Sequence, residues 1–402
     1  MAILKKTLTL AVAAATLCAA APALADDVKL GFLADVTGPI AGFAGGMVTA
    51  GNLVVDEVNA QGGILGGQKL VSVMADGACS ADTAGPAADR LVNSENVTAI
   101  FGAYCTGATL AALNTAALPG NVVMISPSAS APTVTTIADN DLLYRTVVSD
   151  AFQGAKGADL LLSMGIKEVG ITYVNGDYGK GLADQFASSF TAGGGKVLAN
   201  VAHEDGKADY RPEIGQIEST GATTLVIYGY ENAGGGAILN QAIESGSFTQ
   251  YLGGDGMAGD ALLATRDAAS LEGLILTQAA AASGEAYDIY AKLATDAGLV
   301  ADTTYGAQSY DAVFALALAI EKNGSADRAN LSTALRDVTS APGETILPGE
   351  WTKAVELIKA GTDINYEGAS SNLDFDAAGD IAGGIDYFVI EGGQILNKGL
   401  IE

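Results

Sequence analysis

The stretch VKLGFLA at residues 28–34 is the first of a series of short runs rich in large apolar residues. A longer segment at 43–59 follows it, in which valines recur partly at helical spacing, and the glycine pair at 62–63 ends that pattern. The same alternation predicts further strands at 69–74, 97–101 and 122–126, and helices at 81–92 and 107–117. Strands that alternate with helices in this way predict a parallel sheet covered by helices on both faces.

The alternation then restarts, which predicts a second lobe similar to the first. Helices are predicted at 152–164, 179–190, 212–218 and 233–245, and strands at 168–174, 196–201, 224–228, 250–253 and 274–277. From Glu285 the chain is mostly helical, and it ends with predicted strands at 366–375 and 387–390. This tail is too short to form a third domain with its own core. We therefore expect it to return and complete the two lobes.

Composition narrows the class of protein. The 402 residues include 20 Lys plus Arg and 46 Asp plus Glu, a formal charge of −26, and 49% are hydrophobic. That apolar share excludes a disordered polyelectrolyte, because such chains cannot bury enough surface to offset the entropy of ordering. The acidity argues against a nucleic-acid partner, because binding to phosphates depends on Lys and Arg.

The N-terminus has the pattern of a secretory signal. Two lysines at 5–6 precede an apolar stretch at 7–17, and Ala-Leu-Ala at 23–25 is a small-residue cleavage site. A membrane anchor needs about 20 apolar residues, which is more than this run supplies, and Leu17 before Cys18 fits lipoprotein processing poorly. We therefore predict a signal peptide at 1–25 and a soluble protein in an exported compartment.

Removal of the signal leaves two cysteines, Cys79 and Cys105. Two thiols in an oxidising compartment most often pair. A metal site is a weaker interpretation, because the single His203 lies far away in sequence and two thiols alone seldom hold zinc. We expect a disulfide, no bound metal and no cofactor.

Searches for catalytic motifs find none of the common signatures. The sequence has no phosphate-binding Gly-x-x-x-x-Gly-Lys-[Ser/Thr] loop, no His-Glu-x-x-His and no Gly-x-Ser-x-Gly. His203 stands among acids just after a predicted strand, and we interpret it as a solvated loop residue. Paired carboxylates remain available for acid–base chemistry, but no spacing singles out a pair. The sequence favours a binding protein over an enzyme.

Six fragments in order resemble the periplasmic leucine/isoleucine/valine-binding protein family, the substrate-binding components of branched-chain amino-acid ABC transporters. They are GP at 38–39, DEVNAQGGI at 56–64, DGAC at 76–79, FGAYC at 101–105, ISPSASAP at 125–132 and DYGKG at 177–181. Each fragment alone is a weak signal, but their order over nearly all the mature chain is specific. The segment 342–371 is longer than in the best-known amino-acid binders, and it could reshape the ligand pocket.

The resemblance implies a type I periplasmic-binding fold, with two doubly wound parallel-sheet lobes joined by three hinge crossovers. Crossovers are expected near Val147, Leu276 and Ile385. Lobe I would then comprise 26–147 and 277–384, and lobe II 148–276 and 385–402. The family's disulfide maps onto Cys79 and Cys105, in agreement with the argument from the compartment.

The resemblance also implies residues that hold the ligand's carboxylate. Tyr104 and Thr106 lie at a turn that opens a predicted helix, whose free N–H groups suit an anion. Thr106 aligns with the family's carboxylate-binding serine, while Ser128 and Ser130 match a backbone contact and a hydroxyl contact. The alternative is that these hydroxyls only satisfy local backbone groups.

The ligand's ammonium group needs an anion from the other lobe. Asp255 aligns with the family's ammonium-binding glutamate but is one methylene shorter, and its alternative role is to cap a helix before Met257. A ligand-contacting tyrosine of the family falls one place after Tyr230, so either Tyr230 or Glu231 fills that slot. Phe43, Tyr178 and Tyr305 match aromatic positions of the pocket, which favours a leucine-like or aromatic ligand.

These implications lead to one expected function. The chain is expected to be a monomeric periplasmic protein that captures a small amino acid between its lobes and delivers it to an inner-membrane ABC permease. The alternatives are a ligand sensor of the same fold, a binder of amides, urea-like compounds or aromatic acids, and an exported hydrolase. Substrate turnover would distinguish the last of these from a binding protein.

Overall fold

The computed structural model describes residues 26–259, 261–280 and 283–402. The predicted signal peptide at 1–25 therefore lies outside the described residues. Among the described helices, none has the length and hydropathy needed to cross a bilayer.

The first sheet is entirely parallel and has five strands in the order β2-β1-β3-β4-β5. The strands are β1 Val28–Ala34, β2 Leu70–Asp76, β3 Ala99–Gly102, β4 Met124–Ser126 and β5 Leu143–Arg145. The connecting helices are α1 Ala41–Ala60, α2 Ala81–Asp89, α3 Thr106–Ala112, α4 Leu118–Gly120 and α5 Pro132–Thr136. Every residue of β3, β4 and β5 is buried, as expected for strands covered on both faces.

The second sheet has seven strands in the order β14-β13-β10-β9-β8-β6-β7. Its parallel part contains β6 Glu168–Val174, β7 Lys196–His203, β8 Thr224–Tyr228, β9 Gln250–Gly253 and β10 Ile275–Ala279. Its helices are α6 Asp150–Ser163, α7 Asp177–Ala192, α8 Arg211–Glu218, α9 Gly234–Ser245 and α10 Ala261–Ala264. The two sheets confirm the predicted α/β class with two parallel-sheet lobes.

The C-terminal part of the chain serves both sheets. It contains α11 Glu285–Asp296, α12 Gly306–Asn323, α13 Leu331–Thr339, β11 Glu344–Ile346, α14 Trp351–Ala360, β12 Ile364–Tyr366, β13 Ile385–Glu391 and β14 Gln394–Leu400. Side chains of α11 to α14 share one hydrophobic core with β1 to β5. Strand β13 instead pairs antiparallel with β10, and β14 pairs antiparallel with β13.

The chain passes between the two sheets three times. It leaves the first sheet after Arg145, leaves the second after Ala279, and returns at Ile385. Strand β10 runs to Ala279, so the expected boundary at 276/277 falls inside a strand of the second sheet.

Two local predictions were wrong. The expected strand at 366–375 is an irregular loop after β12, because the Asp311 carboxylate accepts from the N–H groups of Ala369 and Ser370, at 2.8 and 2.7 Å, which therefore make no strand pairing. His203 is 1% exposed and not solvated. Its Nδ1 lies 2.8 Å from the Thr172 hydroxyl, and burial lowers its pKa to about 4. The histidine is therefore a neutral core residue.

Candidate functional site

A cavity lies between the two lobes, where loops follow the carboxyl ends of β1, β3, β4, β8 and β9. This edge is where ligands bind in open parallel sheets. The space left in the cavity is small, about 20 Å³. Its lining residues are Ile40, Phe43, Tyr104, Cys105, Thr106, Ser128, Tyr178, Tyr230, Asp255, Gly256 and Tyr305. Eight of the ten residues named from the sequence as ligand contacts are in this set. The two that are not are Ser130 and Glu231.

A buried aspartate shapes the lobe I wall of the cavity. Asp35 follows β1, and its Oδ2 accepts from the backbone N–H groups of Tyr104 and Cys105, both at 2.9 Å. Its Oδ1 accepts from the N–H of Cys79 at 2.9 Å. Burial raises the pKa of Asp35, and these three backbone hydrogen bonds oppose the rise. The Asp35 side chain therefore fixes the loop that carries Tyr104 and Thr106, and Asp35 was not among the residues predicted from the sequence.

The disulfide between Cys79 and Cys105 is present, as predicted. It joins residues 26 positions apart, with the Cα atoms 5.2 Å apart. Because Cys105 lines the cavity, the bridge ties the cavity wall to the loop after β2.

The hydroxyls predicted to meet a carboxylate have local partners. The Ser128 hydroxyl donates to the carbonyl of Tyr104 at 2.8 Å, and the Thr106 hydroxyl accepts from the N–H of Ala131 at 3.4 Å. These are the local contacts that the alternative interpretation predicts, and the ligand-binding role of the two hydroxyls stays a prediction. Each hydroxyl keeps unused hydrogen-bonding capacity, since it has one donor and two acceptor positions.

Ser130 does not line the cavity. Its hydroxyl donates to Oδ2 of Asp150 at 3.0 Å, and its carbonyl accepts from the Asp150 N–H at 2.8 Å. Asp150 is fully buried, and its Oδ1 has no hydrogen-bond partner in the described residues. Burial, then the charge of Asp255, raises the pKa of Asp150 well above the usual value. Ser130 therefore satisfies a buried acid and does not face the cavity space.

Asp255 lies on the lobe II side, in a short 3-10 turn after β9, and is 5% exposed. Its Oδ1 accepts from the Tyr178 hydroxyl at 2.8 Å and from Nε2 of Gln153 at 3.2 Å. Its Oδ2 accepts from the Tyr305 hydroxyl of lobe I at 2.5 Å. In the described part of the chain, no Lys, Arg or His forms an ion pair with this carboxylate. All three of its donors are neutral.

Tyr230 and Glu231 occupy different positions relative to the cavity. The Tyr230 ring lines the cavity and stacks on Tyr178, with ring centroids 5.2 Å apart. Glu231 lies outside the lining, and its Oε1 forms an ion pair with Nη1 of Arg266 at 2.6 Å. The ion pair with Arg266 offsets the cost of burying this carboxylate and accounts for the orientation of Glu231.

Aromatic rings form most of the remaining wall. Phe43 and Tyr305, both from lobe I, have ring centroids 6.3 Å apart, and Tyr104 packs at 5.5 Å from Phe101. Tyr305 directly precedes α12 with a positive φ of +57°, and its hydroxyl reaches across to Asp255.

The segment 342–371 contributes no residue to this cavity. It packs on lobe I, where Nε1 of Trp351 donates to the Gly63 carbonyl at 3.0 Å and the N–H of Gly349 donates to the Tyr310 hydroxyl at 2.9 Å. Because none of its residues lines the cavity, the segment does not reshape the pocket as the sequence led us to expect.

Comparisons with known proteins agree with this architecture. The family model described as periplasmic binding protein matches residues 27–354. The Leu/Ile/Val-binding protein BraC3 of Rhizobium johnstonii is 32% identical over 340 residues, which cover 84% of this chain and 90% of the relative. The crystal structure of the leucine-binding protein LivK of Thermotoga maritima has a TM-score of 0.78 and 26% identity, covering 93% of this chain and 99% of that chain.

One further similarity concerns the fold alone. A solute-binding protein of an ABC transporter from R. palustris, solved in complex with benzoate, has a TM-score of 0.74 at 18% identity. It covers 93% of this chain and 96% of that chain.

Proposed function

This chain belongs to the periplasmic binding protein family, within its leucine/isoleucine/valine-binding group, and from that premise we propose that its cleft holds an α-amino acid with a hydrophobic or aromatic side chain. It is a solute-binding protein of the ABC-transporter class and not an enzyme. The proposal extends to a periplasmic monomer, released from its signal peptide, that delivers the amino acid to an inner-membrane permease.

The environment of Asp255 carries this proposal. A buried carboxylate without a cation is unfavourable, because desolvation of the charge is not offset by an opposite charge. The three neutral donors orient the carboxylate but leave its negative charge in place. A ligand ammonium is the group that would neutralise it, and the pair would form charge-assisted hydrogen bonds.

The opposite wall suits the ligand's carboxylate. Helix α3 begins at Thr106, and its first N–H groups have no acceptor within the helix. These groups and the positive end of the helix dipole attract anions. None of the described residues that line the cavity is Lys, Arg or His. Neutral donors would therefore hold the ligand's carboxylate. Among the described lining residues, Asp255 would be the one charged group that faces the bound amino acid.

The aromatic rings favour an apolar side chain. Phe43, Tyr104, Tyr178, Tyr230 and Tyr305 surround the unfilled space. Burying an aliphatic or aromatic group against such rings is favourable by about 25 cal/mol per Å² of apolar surface. A ligand with a second charged group would lose its hydration there without gaining a partner.

The same charge argument separates amino acids from simple aromatic acids. Benzoate carries a carboxylate and no ammonium, so in this cavity it would lie near Asp255 with no group to neutralise that aspartate. Like charges in a buried site disfavour each other strongly. We therefore place amino acids ahead of aromatic carboxylates as ligands.

The proposed mechanism is closure of the two lobes around the ligand. Tyr305 and Phe43 come from lobe I, whereas Asp255, Tyr178 and Tyr230 come from lobe II, so the ligand contacts both lobes only when they are closed. A ligand shifts this equilibrium by its differential affinity for the closed form. A micromolar complex corresponds to about −8 kcal/mol, which is enough to favour closure.

Three ligands of one carbon skeleton test the proposal. Leucine has both charged groups, 4-methylpentanoate lacks the ammonium, and 3-methylbutan-1-amine lacks the carboxylate. Calorimetry on the mature protein at pH 7 is expected to give micromolar binding of leucine and at least 100-fold weaker binding of the other two. Equal binding of 4-methylpentanoate and leucine, or binding of benzoate in preference to every amino acid, would contradict the proposal.

A further inference from the structure

Gln153 is a buried polar residue that lies behind the cavity and outside its lining. It belongs to α6, the first helix after the chain enters lobe II, and is 3% exposed. Its Nε2 lies 3.2 Å from Oδ1 of Asp255, 3.1 Å from the carbonyl of Thr277 and 3.3 Å from the Thr277 hydroxyl. One amide group thus joins α6, the Asp255 turn and strand β10.

The two oxygens of Asp255 have different partners. Oδ1 accepts two hydrogen bonds, from Tyr178 and Gln153, and both donors belong to lobe II. Oδ2 accepts one, from Tyr305 of lobe I. A carboxylate has about four acceptor positions, two on each oxygen. Oδ1 is therefore saturated by its own lobe, whereas Oδ2 keeps one position for a further donor.

The chemistry of the Gln153 side chain suits this place. An amide donates to a carboxylate without adding a charge. A Lys or Arg here would neutralise Asp255 and weaken its attraction for an ammonium, and a Glu would add a third buried acid beside Asp255 and Asp150. Gln153 therefore fixes the direction of the carboxylate and leaves its charge available.

We infer that Gln153 is a positioning residue of the ligand site, which holds Oδ1 of Asp255 so that Oδ2 is presented to the ligand ammonium. This inference rests on the proposed function, in which Asp255 binds that ammonium. It adds a residue that does not touch the ligand, and it identifies Oδ2 as the oxygen that does.

The test replaces Gln153 with Met, which keeps length and apolar volume but removes the donor. The readout is the preference for leucine over 4-methylpentanoate, measured by calorimetry and, for weak binding, by saturation-transfer NMR. Loss of a hydrogen bond to a charged group corresponds to a change of about ten-fold or more in an equilibrium constant. We expect Q153M to reduce the preference about ten-fold, with 4-methylpentanoate binding unchanged.

The matched control is Gln185→Met on the neighbouring helix α7, where Nε2 of Gln185 donates to the Ser189 hydroxyl at 3.1 Å, its one hydrogen bond within the described residues. This variant is expected to keep the wild-type preference. Gln153→Asn, which retains a buried amide that is too short to reach Asp255, is expected to behave like Q153M. It also serves as the test if Q153M does not fold by circular dichroism.

The outcomes separate this inference from the proposed function. Equal weakening of both ligands by Q153M would show a merely structural role and overturn the inference, as would an unchanged preference. In both cases wild-type binding of leucine would leave the proposed function standing. Failure of the wild-type protein to prefer leucine would overturn both.

Discussion

Two buried aspartates without a cationic partner in the described residues, Asp255 in the cleft and Asp311 on helix α12 of lobe I, are satisfied in different ways. Asp311 accepts from the Tyr366 hydroxyl at 2.7 Å, from the N–H groups of Ala369 and Ser370, and from the Ser370 hydroxyl at 2.5 Å. All these donors lie on one segment of one lobe. Asp255 has three side-chain donors, and one of them comes from the opposite lobe.

The difference separates a structural carboxylate from one suited to binding. Two backbone N–H groups and two hydroxyls of a single segment hold Asp311, and none of these donors depends on the position of the other lobe. Side-chain donors from two lobes hold Asp255, and the contact with Tyr305 is lost whenever the lobes separate. Because closure brings Tyr305 to Asp255, a ligand bound at this carboxylate would contact groups of both lobes.

The largest effects are expected when the charge of each aspartate is removed in turn, beginning with Asp255→Asn. Truncating one member of a buried charge pair costs about 2–5 kcal/mol of binding energy. We expect leucine affinity to fall about 100- to 1,000-fold, while the free energy of unfolding without ligand changes by less than about 1 kcal/mol. Calorimetry and urea denaturation measure the two quantities, and retained affinity would remove Asp255 from the site.

The reciprocal variant, Asp311→Ala, is expected to affect stability and not binding. It leaves two buried N–H groups without an acceptor, each of which costs about 1–3 kcal/mol. We expect urea denaturation to show a loss of about 3–4 kcal/mol with leucine affinity within two-fold of wild type. Asp337→Ala, at an exposed position of α13, is the control and is expected to change stability by less than about 0.5 kcal/mol.

The pH dependence of stability sharpens the role of Asp311. Burial raises its pKa from the usual 3.8 to about 6, and the four hydrogen bonds oppose that rise. An acid with a raised folded-state pKa contributes stability that is fully present below about pH 4 and is lost as the pH rises through 6. The stability of wild type relative to Asp311→Asn is therefore expected to decrease by about 2–3 kcal/mol from pH 4 to pH 7. A constant or increasing difference in urea denaturation would contradict the raised pKa.

The smallest expected effects come from a pair of hydroxyl deletions, Tyr305→Phe and Tyr366→Phe. Each removes one hydrogen bond to one of the two aspartates, a contribution of about 1 kcal/mol. Tyr305→Phe is expected to weaken leucine binding about five-fold, mainly through faster release, because its bond exists only between closed lobes. Tyr366→Phe is expected to lower the free energy of unfolding by about 1 kcal/mol without affecting binding. Stopped-flow release and urea denaturation distinguish these results.

Much of the fold followed from the sequence because parallel strands buried on both faces leave long apolar runs. Strands Val28–Ala34, Glu168–Val174 and Thr224–Tyr228 begin and end where the pattern predicted. Strand β5 is only three residues long, Leu143–Arg145, and it was not predicted because so short a run has no periodicity. The loop after β12 was mistaken for a strand, because the hydrogen bonds that hold it come from Asp311, which lies 55 or more positions away in the sequence.

The site was predictable where a residue follows a buried strand or matches a family motif. Asp255 and Thr106 are of this kind, and Asp35, which directly follows β1, carried the same signal without being identified. Gln153 carried none, because its role depends on the rotation of α6 against β10. His203 was misjudged from its acidic neighbours, whereas its ring packs edge-on against Tyr210, with centroids 5.9 Å apart.

The unneutralised carboxylate at the centre of the cleft has a consequence for energy use by the transporter. On the proposed function, closure without an amino acid would bury this charge with neutral hydrogen-bond partners only, so the ligand-free protein would be mostly open. Only the ligand-bound protein would present a stable closed conformation to the permease. Asp255 would thereby limit productive docking to the ligand-bound protein, and the transporter would hydrolyse less ATP without moving a substrate.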